Sequence, residues 1–242
     1  MKIQDQVKIY LLETEGKYQV GQHEYYAWIA LSQALKAFEE NNYGIGAVAI
    51  QVTEKDIFEY RERNAMVTGL GVVDHAETRA LLKLKSGKQP DYKYPRDMNN
   101  WTKSLPKGIS VFGTLEPCPM CSCTLTNVGA MLSVSTVRDG NLIVTEQGYK
   151  ISDGAANVIV YKEPNVSQEE VIMDKFKIQP QIWQWIQTAH KLKFEILETT
   201  DQELKELSMK IFTETREQID RQLAERGLQT YTENRAKSLF IK

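Results

Sequence analysis

The chain has 242 residues, of which 42% are hydrophobic and 26% are charged, a composition typical of a soluble globular protein. This length is long for one small α/β domain and short for two large ones, so we expect one domain with additions. The formal net charge of −2 argues against a basic nucleic-acid-binding surface over the whole protein but leaves room for a local basic patch.

No stretch of the sequence stays apolar over the roughly 20 residues that a membrane-spanning helix needs, and the first residues lack the pattern of a secretory signal peptide. We therefore expect no membrane-embedded segment. The sequence has three cysteines, two of which fall in the metal-binding pattern described below. Because metal-binding thiols of this kind are typical of reducing compartments, we expect a cytoplasmic protein.

The first part of the chain contains an extension and the first core elements. Apolar and polar residues alternate within 1–20, which predicts that residues 1–23 form an N-terminal hairpin before the core. The spacing becomes helical over 24–40. A small-residue strand over 44–50 and its antiparallel partner over 57–63 follow. The apolar face of the predicted helix comprises Ala27, Leu31, Ala34, Leu35 and Phe38.

Further changes of spacing place the remaining elements. Asp74 and His75 open a helix whose apolar positions recur at helical spacing. The later elements are strands over 108–113, 131–137 and 193–198 and helices over 118–128 and 201–226. The apolar face of the last helix comprises Leu204, Leu207, Ile211 and Ile219. Such a face is typical of a helix that packs against a core.

Cys118 and Cys121 form a Cys-x-x-Cys pattern at the start of a predicted helix. In that position both sulfurs point toward one place, and the helix N-terminus favours their thiolate form, so the pair suits a soft metal ion such as zinc. His75 supplies a third protein ligand. Three protein ligands leave one tetrahedral position for water, which distinguishes a catalytic zinc site from a structural one.

Glu77 follows His75 by two residues and is expected near the same metal ion without being needed as a ligand. Together these residues form the H-x-E…P-C-x-x-C signature of zinc-dependent base deaminases. In that chemistry the metal activates water, and a carboxylate moves protons to a ring nitrogen and to the departing ammonia. We assign the proton-carrying role to Glu77.

The same residues have simpler interpretations. Asp74-x-x-Glu77 also fits a helix capping box, with Asp74 as the N-cap residue. A single Cys-x-x-Cys also occurs in redox motifs and as half of a zinc ribbon, although the sequence contains no second Cys-x-x-Cys for a four-cysteine site. Cys123 would point about 200° away from Cys121 on a helix, so we expect a small buried residue there.

The order of elements around these motifs resembles a known family. Residues 24–140 resemble the cytidine deaminase superfamily. The resemblance rests on the helix that begins at His75-Ala76-Glu77, the strand that leads into Thr114-Leu115-Glu116-Pro117-Cys118, and a strand followed by Arg138-Asp139. Within this superfamily, the chain is most similar to the branch of tRNA adenosine deaminases and guanine deaminases. The resemblance implies a three-layer α/β/α fold with a mixed five-stranded sheet, a Zn²⁺ cofactor and a homodimer. A long connection before 193–198 suits a helical crossover, which predicts that the last two strands are parallel.

The resemblance also implies three substrate contacts. Asn64 stands where this branch has an asparagine that contacts the bound base or nucleoside. Ile45 precedes the segment that matches the first core strand of the family, and Asp139 stands where an acid can reach the substrate. Asn64 and Asp139 also have simpler interpretations, because both residue types are common in turns after strands.

Two segments are longer than the family needs, and the first is the insertion 86–107. Seven basic residues lie in or near it, with two acidic and three aromatic side chains. This mixture is typical of single-stranded nucleic-acid binding, and a solvated or dimer-facing loop is the alternative. The helix after His75 places the insertion about 18 Å from the metal, which argues against a nucleic-acid arm. The basic residues are Lys83, Lys85, Lys88, Lys93, Arg96, Lys103 and Lys107.

The second long segment is 139–192. Its first part, 139–160, leaves the sheet on the metal side and is the expected specificity lid. The deaminase domain then spans 24–200 with these two insertions, and 201–242 form a C-terminal helix and tail.

These features predict a zinc-dependent hydrolase that converts an amino group on a nucleobase to a carbonyl and releases ammonia. The expected substrate is a free base or nucleoside, and the resemblance favours a purine-type amino group. One alternative is a deaminase that edits an adenosine in tRNA or a base in single-stranded DNA. The other is an inactive zinc-stabilised binding module, against which Glu77 argues because the metal does not need it.

Overall fold

A computed structural model describes residues 1–69, 71, 73–96, 105–115, 117, 119–128, 130–137, 142–144, 150–154, 157–161, 196–198 and 201–227. The helices among them are α1 (Ile3–Glu13), α2 (His23–Glu39), α3 (Ala76–Lys85), α4 (Pro119–Asn127) and α5 (Gln202–Glu225). The strands are β1 (Gly46–Val52), β2 (Asp56–Arg63), β3 (Tyr92–Pro95), β4 (Gly108–Leu115), β5 (Ala130–Val137), β6 (Leu142–Val144), β7 (Lys150–Gly154), β8 (Asn157–Tyr161) and β9 (Ile196–Glu198). Within these ranges, no helix is both long and apolar enough to cross a membrane.

A six-stranded mixed sheet forms the centre of the fold, in the order β3-β2-β1-β4-β5-β9. β1 pairs antiparallel with β2 on one side and with β4 on the other. β5 pairs parallel with β4. β9 in turn pairs parallel with β5, with Val134 opposite Leu197. The helical crossover expected between these two strands lies outside the described residues.

Helices cover both faces of the sheet. Alternate residues of each strand point to opposite faces, so the strands present apolar side chains to a helical layer on each side. On one face Val48 and Phe112 pack against α2 in a buried cluster. On the other face Ala49 and Val111 pack against α3 and against Leu125 of α4. The sheet therefore lies between two helical layers, as the expected α/β/α arrangement requires.

The N-terminal hairpin predicted for residues 1–23 is wrong, because residues 3–13 form α1. Ile3, Val7 and Tyr10 recur at helical spacing and are buried in a cluster with α2 and α5. Ile9, which the alternating pattern places on the same face as Val7, is 42% exposed. Alternation and helical spacing coexist in this short segment, and burial against two neighbouring helices favours the helix.

The sheet has six strands rather than the predicted five, because the insertion 86–107 contributes β3. This strand pairs antiparallel with the first half of β2, with Tyr92 opposite Glu59 and Pro95 opposite Asp56. Residues 97–104 of the insertion lie outside the described residues. The described part of the insertion is therefore an edge strand beside the start of β2.

The C-terminal helix predicted over 201–226 is confirmed as α5. Leu204, Leu207 and Ile211 are buried with α1 and α2. Ile219 is buried with Ala47 of β1 in a second cluster. The helix thus packs on the helical layer and also reaches the start of β1; the tail from 228 onward lies outside the described residues.

The long segment 139–192 contains a second sheet that the sequence patterns do not predict. β6, β7 and β8 pair antiparallel in that order, with Ile143 opposite Ile151 and Ile151 opposite Val160. These strands lie largely within the expected lid, 139–160. Asp139 and residues 140–141, 145–149 and 155–156 of the lid lie outside the described residues.

Asp201 caps the N-terminus of α5 and joins it to the segment after α1. Its carboxylate accepts a hydrogen bond from the Leu204 N–H at 3.0 Å, and others from Tyr18 and Lys17. Burial acts to raise the pKa of this carboxyl, but the hydrogen bonds from Tyr18, the Leu204 N–H and Lys17 outweigh burial and hold the pKa below its usual value. The charged form of Asp201 therefore stabilises the junction.

We expect Asp201→Ala to lower the free energy of unfolding by about 1 kcal/mol at neutral pH, because it removes the N-cap hydrogen bond of α5. Since the folded-state pKa is lowered, this contribution is complete above the unfolded-state pKa of about 3.9 and is lost as pH falls through the folded-state pKa. Urea unfolding at neutral and acidic pH measures both effects.

Glu203→Ala is the control for this variant, because Glu203 is an exposed acid in the same turn. It should change the free energy of unfolding by only about 0.3 kcal/mol, through the helix dipole. A loss of stability in Asp201→Ala that is the same at neutral and acidic pH would contradict the account of its charge.

Candidate metal and catalytic site

The two halves of the predicted metal site lie at one end of the sheet. β2 and β4 are both antiparallel to β1, so they run in the same direction and end on the same side. α3 follows β2 and α4 follows β4, and both helices therefore begin near the same place. This topology brings His75 and Cys121 together although 46 positions separate them.

Backbone hydrogen bonds hold the loop between β2 and α3. The Ala65 N–H donates to the Asp74 carbonyl oxygen at 2.9 Å, and the Asp74 N–H donates to the Gly71 carbonyl oxygen at 2.9 Å. His75 is the N-cap residue of α3 and has an extended backbone conformation. The imidazole is thus held at the start of α3, directly after a loop tied to the end of β2.

Asp74 and Glu77 do not form the capping box that their spacing allows. His75 rather than Asp74 is the N-cap residue, and its side chain makes no capping hydrogen bond. The Asp74 carboxylate instead accepts a hydrogen bond from Arg79 at 3.2 Å. Glu77 lies in the first turn and is only 4% exposed, so a capping box does not account for its burial.

His75, Glu77 and Cys121 converge at this point. Their possible ligand atoms all lie within 4.8 Å of one another. Cys121 Sγ is 3.5 Å from His75 Nδ1 and 3.6 Å from Glu77 Oε2. Glu77 and Cys121 are buried, and His75 is partly buried. A sulfur, an imidazole and a carboxylate therefore share one site with little access to solvent.

The spacing of the sulfur and the imidazole nitrogen fits a zinc ion. Zinc–sulfur bonds of about 2.3 Å and zinc–nitrogen bonds of about 2.0–2.1 Å, at a tetrahedral angle, place the two ligand atoms about 3.6 Å apart. The separation between Cys121 Sγ and His75 Nδ1 is 3.5 Å. Cys118, the other predicted ligand, lies outside the described residues, one position before α4.

Asn64 is a buried amide that uses only part of its hydrogen-bonding capacity within the described structure. Its Oδ1 accepts a hydrogen bond from the Met66 N–H at 3.0 Å. Its Nδ2 is buried and has no hydrogen-bond partner among the described residues. A buried donor left without an acceptor costs about 1–3 kcal/mol. This position therefore suits contact with a ligand that accepts a hydrogen bond.

Ile45, a second expected substrate contact, supports the site from one side. It is 8% exposed and packs in a cluster with Ala76 and with Phe212 of α5. Since Ala76 lies between His75 and Glu77, this cluster lies directly against the metal-binding turn. Asp139, the third expected contact, lies outside the described residues.

Thr78 is a site residue that no sequence motif indicates. Its hydroxyl oxygen lies 3.7 Å from Cys121 Sγ, and both side chains are buried. The two residues are 43 positions apart, so no local pattern links them. Thr78 could be predicted only by combining its place beside His75 and Glu77 in the motif with the expectation that α3 and α4 begin next to each other.

Residues 20–137 match the family described as the cytidine and deoxycytidylate deaminase zinc-binding region. No curated protein gives a significant match. Solved structures similar to the chain include one from a study of A-to-I editing by tRNA:A34 deaminases, which is 22% identical, covers 51% of this chain and 82% of its own, and has a TM-score of 0.36.

Two further similar structures come from named organisms. A guanine deaminase from Nitrosomonas europaea is 13% identical, with 80% of this chain and 81% of its own covered and a TM-score of 0.38. A dCMP deaminase from the cyanophage S-TIM5 is 18% identical, with 51% of this chain and 88% of its own covered and a TM-score of 0.32.

We expect the purified protein to contain about one zinc ion per chain, as measured by elemental analysis. Cys121→Ser should lose most of this zinc, because Cys121 Sγ is one of the converging ligand atoms. Cys123→Ser is the matched control, since it makes the same change two residues further along α4. Retention of zinc in Cys121→Ser, or equal loss in both variants, would contradict the ligand assignment.

Proposed function

We propose that this chain, whose residues 20–137 match the zinc-binding region of cytidine and deoxycytidylate deaminases, is a hydrolase of that superfamily that removes an amino group from a nucleobase as ammonia. The convergence of His75 Nδ1, Glu77 Oε2 and Cys121 Sγ carries this proposal. A structural zinc site is closed by its ligands and needs no additional buried carboxylate.

In the proposed site His75, Cys118 and Cys121 hold the metal, and Glu77 carries protons. Two thiolates and one imidazole form a donor set that suits zinc. When bound, zinc supplies Lewis acidity that makes water nucleophilic near neutral pH. The protein residues must then provide proton transfer and orient the substrate.

Glu77 moves protons in both halves of the proposed reaction. Its carboxylate accepts a proton from the attacking water and delivers it to a ring nitrogen, while the water oxygen bonds to the carbon that bears the amino group. The remaining hydroxyl proton then passes through Glu77 to the amino group. The C–N bond breaks, and ammonia leaves a ring carbonyl behind. Because Glu77 is 4% exposed, bulk water has little access to these protons.

Asn64 orients the base in this proposal. Its Nδ2, which has no partner in the part of the chain that the structure describes, donates a hydrogen bond to a ring nitrogen or carbonyl oxygen of the substrate. The hydrogen bond from the Met66 N–H to Oδ1 holds the amide in place. Ile45 supplies apolar support behind the metal-binding turn, and Asp139 remains an expected substrate contact.

The part of the insertion 86–107 that the structure describes is poorly placed to hold a nucleic acid at this site. Lys93 lies opposite Phe58, near the start of β2, whereas Asn64 follows the end of that strand. Six residues of extended chain separate Phe58 from Asn64, which corresponds to roughly 20 Å. The distance from Lys93, the basic residue of β3, to the site is therefore large.

Carboxylates also engage basic side chains near this strand. Lys93 pairs with Asp56 at 3.1 Å, and Lys83 pairs with Asp91 at 2.7 Å. Exposed pairs of this kind are worth less than about 1 kcal/mol, so the distance carries more weight than the pairing. The distance and the pairing together favour a small substrate, a free base or nucleoside, over tRNA or single-stranded DNA. The purine-type amino group is proposed from the sequence resemblance.

Glu77→Ala should keep its zinc and lower the rate of ammonia release by about 10²–10⁴-fold, because it removes the proton carrier but no ligand. Zinc content and ammonia release are measured on the same sample. Glu77→Gln, which keeps the shape of the side chain, should behave in the same way. Loss of zinc in both variants would make Glu77 a ligand, and normal turnover would remove its role in proton transfer.

Turnover of a small substrate should change little between low and moderate salt, because no phosphate contact is needed. Each phosphate contact on a single strand would instead reduce affinity with a logarithmic slope of about 0.7. Lys93→Ala should leave KM and kcat unchanged, as should Lys8→Ala, the control lysine, which also pairs with an acid and is similarly exposed.

The contrary result is efficient deamination of tRNA or single-stranded DNA, with affinity that falls steeply with salt. If Lys93→Ala weakened that affinity and Lys8→Ala did not, the insertion would be a nucleic-acid-binding arm.

A further inference from the structure

Thr78 differs from other helix-associated threonines of this protein in what its hydroxyl contacts. The hydroxyls of Thr14, Thr124 and Thr215 each donate to a backbone carbonyl oxygen four residues earlier, at 2.6, 3.0 and 2.9 Å. This local bond is the usual one for a threonine in a helix. The hydroxyl of Thr78 instead lies 3.7 Å from Cys121 Sγ on α4.

The start of α3 explains this difference. Thr78 is the third residue of α3, so the carbonyl four residues earlier belongs to Asp74, which precedes the N-cap residue His75. His75 has an extended backbone, and the Asp74 carbonyl oxygen accepts a hydrogen bond from the Ala65 N–H. The usual acceptor is therefore turned toward the preceding loop, and the Thr78 hydroxyl can face α4.

The surroundings of Cys121 Sγ make a hydroxyl donor useful. The sulfur is fully buried and lies 3.6 Å from Glu77 Oε2. A sulfur that binds a metal carries negative charge, and a carboxylate at this distance repels it. A donor hydrogen from Thr78 opposes that repulsion and limits the directions in which the sulfur can point.

We propose that Thr78 is a positioning residue whose hydroxyl donates a hydrogen bond to Cys121 Sγ and holds the sulfur toward His75 as a metal ligand. This inference rests on the proposed function, because it takes Cys121 to be a zinc ligand. Groups that hydrogen-bond to metal ligands typically change metal affinity by 10- to 100-fold when they are lost. Thr78 does not touch the substrate in this proposal and acts through Cys121.

Zinc affinity of the purified full chain, measured by competition with a chelator at one pH, tests the proposal. Thr78→Val, which replaces the hydroxyl with a methyl group, should bind zinc about 10- to 100-fold more weakly than wild type. Thr78→Ser, which keeps the hydroxyl, should stay close to wild type. Thr124→Val is the matched control on α4, and it should leave zinc affinity unchanged because, within the described residues, its hydroxyl bonds to the Met120 carbonyl oxygen and not to Cys121.

A spectroscopic measurement distinguishes this role from general loss of packing. With cobalt(II) in place of zinc, the sulfur-to-cobalt charge-transfer band reports the environment of the thiolates. The band should shift in Thr78→Val and remain as in wild type in Thr124→Val. Thr78→Ala removes the same hydroxyl without adding a β-branched apolar group, and it decides the question if Thr78→Val does not fold.

The outcomes separate this inference from the proposed function. If wild type binds no zinc tightly, the proposed function fails and this inference fails with it. If wild type binds zinc but Thr78→Val or Thr78→Ala has the same affinity and the same cobalt spectrum, Thr78 has no positioning role and the proposed function stands. Weaker binding in Thr78→Ser to the same extent as in Thr78→Val would also overturn the role of the hydroxyl.

Discussion

The position of the site depends on the antiparallel pairing of β1 with both of its neighbours. Because β2 and β4 run in the same direction, the helices that follow them begin side by side, and their N-terminal turns favour negative charge on Glu77 and on the cysteine sulfur. Gly46 lets α2 pack directly on the start of β1, since a Cβ there would lie 2.0 Å from the Ala30 carbonyl oxygen. The central strand is thus held by pairing on both sides and by close packing above it.

The additions to this core lie in two different places relative to the site. α5 reaches the metal-binding turn through Phe212, which shares a buried cluster with Ile45 and Ala76. β3 pairs with the far end of β2, so the part of the insertion that the structure describes extends the sheet away from the site. The C-terminal helix is therefore the addition that can influence the geometry of His75 and Glu77, through the packing of Ala76.

The motif residues and most core elements can be predicted from sequence, because their signals are local. His75, Glu77 and Cys121 lie in short patterns with defined chemistry, and helix α2 and strand β2 follow clear changes of spacing. The failures have tertiary causes. The sequence of α1 fits both an alternating strand and a helix, and its burial against α2 and α5 decides between them. β3 forms a strand because it pairs with the free edge of β2. Thr78 depends on a contact between two helices that no single stretch of sequence contains.

We propose that the cluster of His75, Glu77 and Cys121 is a site of hydrolytic deamination. The most direct test is ammonia release by the zinc-loaded wild type over a panel of free bases, nucleosides and oligonucleotides, repeated after removal of zinc by a chelator and after its return. We expect ammonia from at least one small purine substrate, loss of that activity when the metal is removed, and recovery when zinc is restored. Tight zinc binding without ammonia from any member of the panel would contradict the proposal and would make the chain a zinc-stabilised binding module.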